Sequence, residues 1–217
     1  MKNISEENYL KAIFILSGKN DQEVFTNDLA LYLSNKAASV TDMLKKLAQK
    51  KFVSYKKYSG VTLTEQGKKK AIDIVRKHRL WEFFLVNQLG FTWDEIHEVA
   101  EQLEHIQSDL LIERLDAYLR FPQSDPHGDP IPNRNGKFKQ TNSKALAELA
   151  ERSNAIVFTV TDKPDLLRYL SKIGIALGTK VKVLEKIPFD NSLLLQLNGK
   201  NKIQVSADIA KHIKVQL

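Results

Sequence analysis

Asn27-Asp-Leu-Ala-Leu-Tyr-Leu33-Ser-Asn-Lys36-Ala-Ala-Ser-Val-Thr41-Asp-Met-Leu-Lys-Lys-Leu-Ala-Gln-Lys50 carries two helical periods with a short break between them. A helix fits Asn27 to Leu33, Ser34-Asn-Lys36 interrupts the period, and another helix runs from Ala37 to Lys50. The pair is a helix-turn-helix in outline. Upstream, Asn3-Ile-Ser5-Glu-Glu-Asn8 predicts a preceding helix with Ser5 as its N-cap, and Tyr9, Leu10, Ile13, Phe14 and Leu16 supply its apolar stripe. Downstream, Phe52-Val-Ser-Tyr-Lys-Lys-Tyr and Val61-Thr-Leu-Thr are β-branched and aromatic runs joined around Ser59-Gly60. They read as a two-stranded wing carrying Lys56 and Lys57.

A winged helix built this way places Ala38, Ser39, Thr41 and Asp42 near the start of the helix that enters the major groove of DNA. Lys36, Lys45, Lys46, Lys50 and Lys51 surround it and suit phosphate contacts. A winged helix used for protein contacts is the competing reading.

Charge divides the chain. Residues 1–80 carry 16 basic and 8 acidic side chains, residues 81–125 carry 2 and 10, and residues 126–217 carry 15 and 8. Basic blocks gather near phosphates and acidic ones near cations, so the order suggests a nucleic-acid module followed by a metal-binding one.

The acidic middle contains His97-Glu-Val-Ala-Glu101-Gln-Leu-Glu104-His105. On a helix His97, Glu101, Glu104 and His105 share a face roughly 100° wide, a ridge that repels itself unless a cation sits on it. His78 and Glu82 form a second helical pair upstream, although the chain has only five histidines. Each group also has an ordinary reading. The ridge suits a solvated face, His78 a phosphate contact, Glu82 an arginine pair, and Asp162 a cap for a helix that begins near Pro164.

There is no cysteine. Disulfides, thiolate zinc sites, iron–sulfur clusters and cysteine nucleophiles are excluded together, and a metal is left with oxygen and imidazole ligands of the manganese or ferrous type. The first residues lack the apolar core of a signal peptide and no apolar run is long enough to span a bilayer, so the expectation is a cytoplasmic protein without a membrane segment.

Phe121 to Asn133 holds four of the six prolines and reads as a connector. Beyond it, Ile156-Val-Phe-Thr-Val-Thr, Lys180-Val-Lys-Val-Leu, Ser192-Leu-Leu-Leu-Gln-Leu and Lys202-Ile-Gln-Val are short alternating runs. A helix from Pro164 to Ile173 interrupts them. The pattern is that of a small barrel.

Taken together, Glu7-Asn-Tyr-Leu-Lys, Ala38-Ser-Val-Thr, Lys77-His-Arg-Leu-Trp-Glu82, Glu95-Ile-His through His105, Ser108-Asp, Glu113-Arg-Leu and Asp125-Pro-His-Gly128 run in an order that resembles the diphtheria toxin repressor family, in its manganese-responsive branch. The resemblance implies a mainly α protein with a small β component. It divides into a winged helix-turn-helix over 1–73, a helical dimerisation and metal-binding domain over 74–142, and an SH3-like β-barrel over 143–217. It also implies a homodimeric repressor of metal-uptake genes that binds double-stranded operator DNA, with Mn2+ or Fe2+ as co-repressor at two sites per subunit. Ile106, Leu110, Leu111 and Leu115 would suit the dimer contact.

In the family pattern one metal site takes Asn8, Glu101, Glu104 and His105. The other takes His78, Glu82 and His97 with a carboxylate for which Asp162 is the match, and Asp125 and His127 are further candidates. Many manganese-sensing relatives have an aspartate and iron-sensing ones a methionine where this chain has Asn8, so weaker affinity is expected there. Lys11 stands where a two-manganese variant has a glutamate, which predicts two separate sites rather than a bridged pair.

Two other classes bound this reading. A di-metal carboxylate enzyme needs Glu-x-x-His pairs on two helices, which are missing here, as are a phosphate-binding glycine loop and a nucleophile elbow, so no catalysis is expected. A metal-independent winged-helix regulator sensing a small organic ligand explains the basic head but leaves the acidic middle without a role.

Overall fold

Leu10, Ala12 and Ile13 are fully buried, and they explain why the first helix forms where it does. This helix, α1 (Lys2–Ser17), starts at the N-terminal side of the expected Ser5 cap, so Ser5 lies inside the helix and exposed. An exposed serine costs a helix a few tenths of a kcal/mol, far less than the buried stripe contributes. The computed structural model describes residues 2–56, 59–139 and 141–217. The chain packs as two compact units, one made of residues 1–78, 101–114 and 132–137 and the other of 79–100, 115–131 and 138–217.

In the first unit α2 (Thr26–Tyr32) and α3 (Ala37–Gln49) follow α1 as the helix-turn-helix. Between them Ser34 takes φ 50, and the amide of Asn35 donates to Ala30 O, closing the turn. Val40, Leu44 and Leu47 of α3 meet Tyr9, Leu10 and Ile13 of α1 and Leu29 of α2 in one core. The wing is β1 (Val53–Lys56) paired antiparallel with β2 (Gly60–Leu63) in the register Val53↔Leu63. Lys57, expected at its tip, lies outside the described residues.

Thr64 then starts α4 (Glu65–Leu89): its Oγ1 accepts from the Gly67 amide at 3.1 Å, as an N-cap does. Gly67 itself has no substitute, because a Cβ there would lie 1.9 Å from Phe52 O. The acidic segment gives α5 (Ile96–Leu103), and α6 spans Asp109–Tyr118.

The second unit is built on a six-stranded antiparallel sheet in the order β3-β8-β4-β5-β6-β7. Its strands are β3 (Lys144–Ala145), β4 (Asn154–Val160), β5 (Lys180–Lys186), β6 (Leu193–Leu197), β7 (Asn201–Val205) and β8 (Ile213–Gln216). α7 (Pro164–Lys172) and α8 (Ala207–Lys211) connect them. Alternating residues such as Val157, Val181, Val183, Leu195 and Val215 close a dry core with Leu167 and Leu170 of α7.

The proline-rich connector is an ordered turn on this unit. Asp125 Oδ1 accepts from the amides of His127 and Asp129, each at 2.9 Å, and His127 O accepts from the Val160 amide at 3.0 Å. Gly128 has φ +87, and a Cβ on it would lie 2.1 Å from Phe158 O. These constraints hold residues 125–128 against the end of β4, two residues before Asp162.

Candidate metal centres and nucleic-acid face

Among the described residues each unit holds a cluster of imidazole and carboxylate groups. In the second unit Glu82, Asp125 and His127 offer ligand atoms that all lie within 4.8 Å of one another, and all three residues are buried. Glu82 comes from α4, one helical turn after His78 on the same face. Asp125 and His127 come from the pinned turn. His97 and Asp162 stand beside them: His97 Nδ1 is 2.6 Å from Asp162 Oδ2, and Asp162 Oδ1 is 3.8 Å from His127 Nε2. Asp162 therefore faces an imidazole and does not cap α7, whose N-cap is Lys163.

His127 is oriented from behind. Its Nε2 donates to Trp93 O at 2.8 Å and its ring stacks on the Trp93 indole, while Trp93 is held by a bond from Nε1 to Ser171 Oγ. That tautomer leaves the lone pair on Nδ1, which points to Glu82 Oε1 at 3.9 Å. Two acceptors at this separation repel each other, whereas two ligands of one ion with bonds of about 2.1 Å stand roughly 3–4 Å apart. The Asp125 carboxyl is held well above the usual range, by burial first and by the Glu82 carboxylate second, against the opposing pull of Arg79. Arg79 reaches Asp125 Oδ2 at 3.3 Å and donates to Pro130 O.

In the first unit Glu104 is 1% exposed and its Oε2 accepts from Lys11 Nζ at 2.6 Å and His78 Nδ1 at 2.5 Å. Burial pushes the Glu104 carboxyl up, but the His78 hydrogen bond and the Lys11 charge outweigh it, and the group stays below the ordinary glutamate range. His105 Nδ1 is 2.7 Å from Glu7 Oε2, and Gln107 Nε2 donates to Glu7 Oε1 at 3.1 Å. Asn8 Oδ1 is buried with no hydrogen-bond partner among the described residues. Glu101 is half exposed, 3.9 Å from Lys11 Nζ.

The single ridge expected from His97 to His105 does not form. α5 ends at Leu103, so Glu104 and His105 lie in the turn that follows, and His97 faces Asp162 while Glu104 and His105 face α1. Glu7 and Lys11 were not among the expected site residues. They sit one helical turn apart on α1, and that spacing, with a carboxylate and a buried-face lysine flanking Asn8, was the available signal.

Around α3 Lys36, Ala38, Ser39, Asp42 and Lys45 are exposed, and Thr41 donates to Ala37 O. Lys46 is instead paired with Glu6 Oε1 at 3.0 Å, alongside Lys50 at 2.7 Å from Oε2. Lys56 is exposed on the wing.

Comparison with known proteins bears on both clusters. Residues 3–61 match the family model described as the iron dependent repressor N-terminal DNA binding domain, and residues 64–133 match its metal binding and dimerisation domain. The chain belongs to the iron-dependent, or diphtheria toxin, repressor family. Residues 144–217 match the FeoA domain. The repressor is 31% identical to the iron-dependent repressor IdeR of Mycobacterium leprae over 167 residues, 71% of this chain and 72% of that one. Its structure is similar to that of a manganese-dependent transcriptional repressor in complex with manganese, with a TM-score of 0.90, 36% identity, and coverage of 97% and 98% of the two chains. A probable metal transport system membrane protein of Chlamydia trachomatis is 36% identical over 138 residues, 61% of this chain and 30% of its own length. The family is one of metal-dependent, DNA-binding transcriptional repressors. Among the described residues no helix is long and apolar enough to cross a membrane.

The donor sets fit a hard divalent cation. They hold only carboxylate, amide and imidazole donors; one cluster has acceptors facing one another, and the other has an orphaned buried amide oxygen at Asn8.

Proposed function

We propose that this repressor takes manganese or ferrous iron as co-repressor at two sites per chain, binds double-stranded operator DNA as a homodimer and silences metal-uptake genes. The observation that carries the reading is the buried Glu82–Asp125–His127 group, whose ligand atoms all lie within 4.8 Å of one another and which a divalent cation would bring into charge balance. Asp162 and His97 complete its ligand set. Asn8, Glu101, Glu104 and His105 form the second site. When bound, the ion supplies the positive charge that offsets the facing carboxylates.

Residues 1–73 would read DNA through Ala38, Ser39, Thr41 and Asp42 with Lys36, Lys45 and Lys56. Residues 74–142 would carry dimerisation and metal binding, and residues 143–217 would contribute Asp162 and brace the dimer. Leu110 and Leu111 of α6 are exposed and suit the dimer contact. The similarity to part of a probable metal transport protein supports the uptake genes as targets. No catalytic step is assigned to any residue.

The coupling runs along α1. Glu6 holds Lys46 and Lys50 of α3, while Glu7 and Lys11 hold His105 and Glu104. Residues that fix α1 thereby fix the DNA-reading helix. A site filled to 100 times its dissociation constant stabilises the binding-competent state by about 2.7 kcal/mol.

The test is anisotropy of labelled DNA from upstream of metal-transporter genes, titrated with the repressor in chelator, in manganese and, without oxygen, in ferrous iron. Saturable binding only with metal is expected, and the two ions are ranked by the concentrations they need. Equal binding in chelator overturns the co-repressor reading and leaves a metal-independent winged-helix regulator.

A further inference from the structure

Lys11 is the feature of the first-unit cluster that a metal site does not require. It is 7% exposed, and its ammonium lies 2.6 Å from Glu104 Oε2, 3.1 Å from His78 Nδ1 and 3.9 Å from Glu101 Oε1. Its nearest carboxylates are the kind of neighbours that a divalent ion seeks, while the His78 Nδ1–H is turned to Glu104. A buried ammonium is costly unless paired, and here Glu104 supplies the pairing. The same Glu104 oxygen cannot serve a second cation at bonding distance without strong repulsion from Lys11.

We propose that the Lys11 ammonium is a resident cation of this cluster, holding Glu104 when no metal is bound, and that a divalent ion has to displace it to take the same oxygen. The inference rests on the reading of Asn8, Glu101, Glu104 and His105 as a metal site and adds how that site is regulated. Lys11 sets the threshold concentration at which the ion takes the Glu104 oxygen. It acts on selectivity as well, since an ion that binds carboxylate weakly does not displace an ammonium at 2.6 Å.

Manganese titrations of the full chain, Lys11→Leu and Glu104→Gln by calorimetry, with equilibrium dialysis to count ions per chain, test this. Lys11→Leu is expected to bind manganese about tenfold more tightly at the site that Glu104→Gln removes, because a nearby positive charge is gone and leucine adds no ligand. Unchanged affinity and ion count overturn the proposal. Should Glu104→Gln take up as many ions as the unsubstituted chain, the metal-site reading falls. The resident-cation inference then stands only if Lys11→Leu takes up one ion more, and it falls otherwise.

A second measurement needs no substitution, which matters because Lys11→Leu leaves Glu104 buried without its cation. Acylation of the Lys11 amine, followed by mass spectrometry, is expected to be slow in chelator and several-fold faster in saturating manganese. Equal protection in both, with the Glu104-dependent ion bound, overturns displacement.

Discussion

The two clusters use the same chemistry and differ in how their charge is balanced. Around Glu104 the partners are already present: Lys11 and His78 donate to its Oε2, and the carboxyl stays below its ordinary range. Around Asp125 burial and Glu82 push the carboxyl the other way, and Arg79 reaches it only at Oδ2. A cluster that satisfies itself needs little from a metal, whereas one with facing acceptors gains the full electrostatic benefit of the ion. The Asp125 cluster is therefore expected to be the tighter site, and the Glu104 cluster the one that responds at higher concentration.

Breaking the first half of this comparison should give the largest effect. Asp125→Ala removes a ligand and the bond acceptor of two turn amides, so manganese affinity at the Glu82 cluster is expected to fall by more than about 100-fold, measured by calorimetry. Affinity within about threefold of the unsubstituted chain would show that Asp125 is not a ligand. Glu104→Gln breaks the other half: it strands the Lys11 ammonium, and a loss of about 3 kcal/mol is expected in urea unfolding without metal. No loss would mean that the ion pair is not what balances that cluster.

Gly128→Ala sharpens the comparison because it changes no ligand. A Cβ at 2.1 Å from Phe158 O at φ +87 must move the turn, so about 2 kcal/mol of stability and about tenfold in metal affinity at the Glu82 cluster should be lost, with the Glu104 cluster unchanged.

The smallest effect concerns Glu6. Burial raises its carboxyl, but the hydrogen bonds from Lys50 and Lys46 outweigh burial and hold it below the ordinary range. A carboxyl lowered in the folded state stabilises at neutral pH and loses that contribution as pH falls through the lowered value. Lys46 and Lys50 are about two-fifths exposed, so roughly 1 kcal/mol is involved. Glu6→Gln should remove that part of the acid sensitivity of urea unfolding, and an unaltered pH profile would rule the pairing out as a source of stability.

Local signals in the sequence foretold much of this. The Ser34 break, the Val and Tyr alternation of the wing and Pro164 at the start of α7 each act within a few residues, and each is found within a residue or two of its expected place. The ridge from His97 to His105 misled because helical spacing continues on paper past Leu103, where the helix stops. The centrality of Asp125 and His127 depends on the Val160 and Phe158 backbone some 30 residues downstream, and no local pattern encodes that. Glu7 and Lys11 were legible only in part: their one-turn spacing around Asn8 is in the sequence, but the partners nearly 100 residues away that bury them are not.

Glu6 and Glu7 are neighbours that serve different masters, α3 on one side and His105 on the other. Successive helical residues are about 100° apart, so the link between them is a matter of angular phase and not of composition. A single residue inserted between them would keep every functional group in the molecule and turn one group by that angle relative to the other. Such a chain would still own both ends of the transmission, and it would have lost the gear ratio.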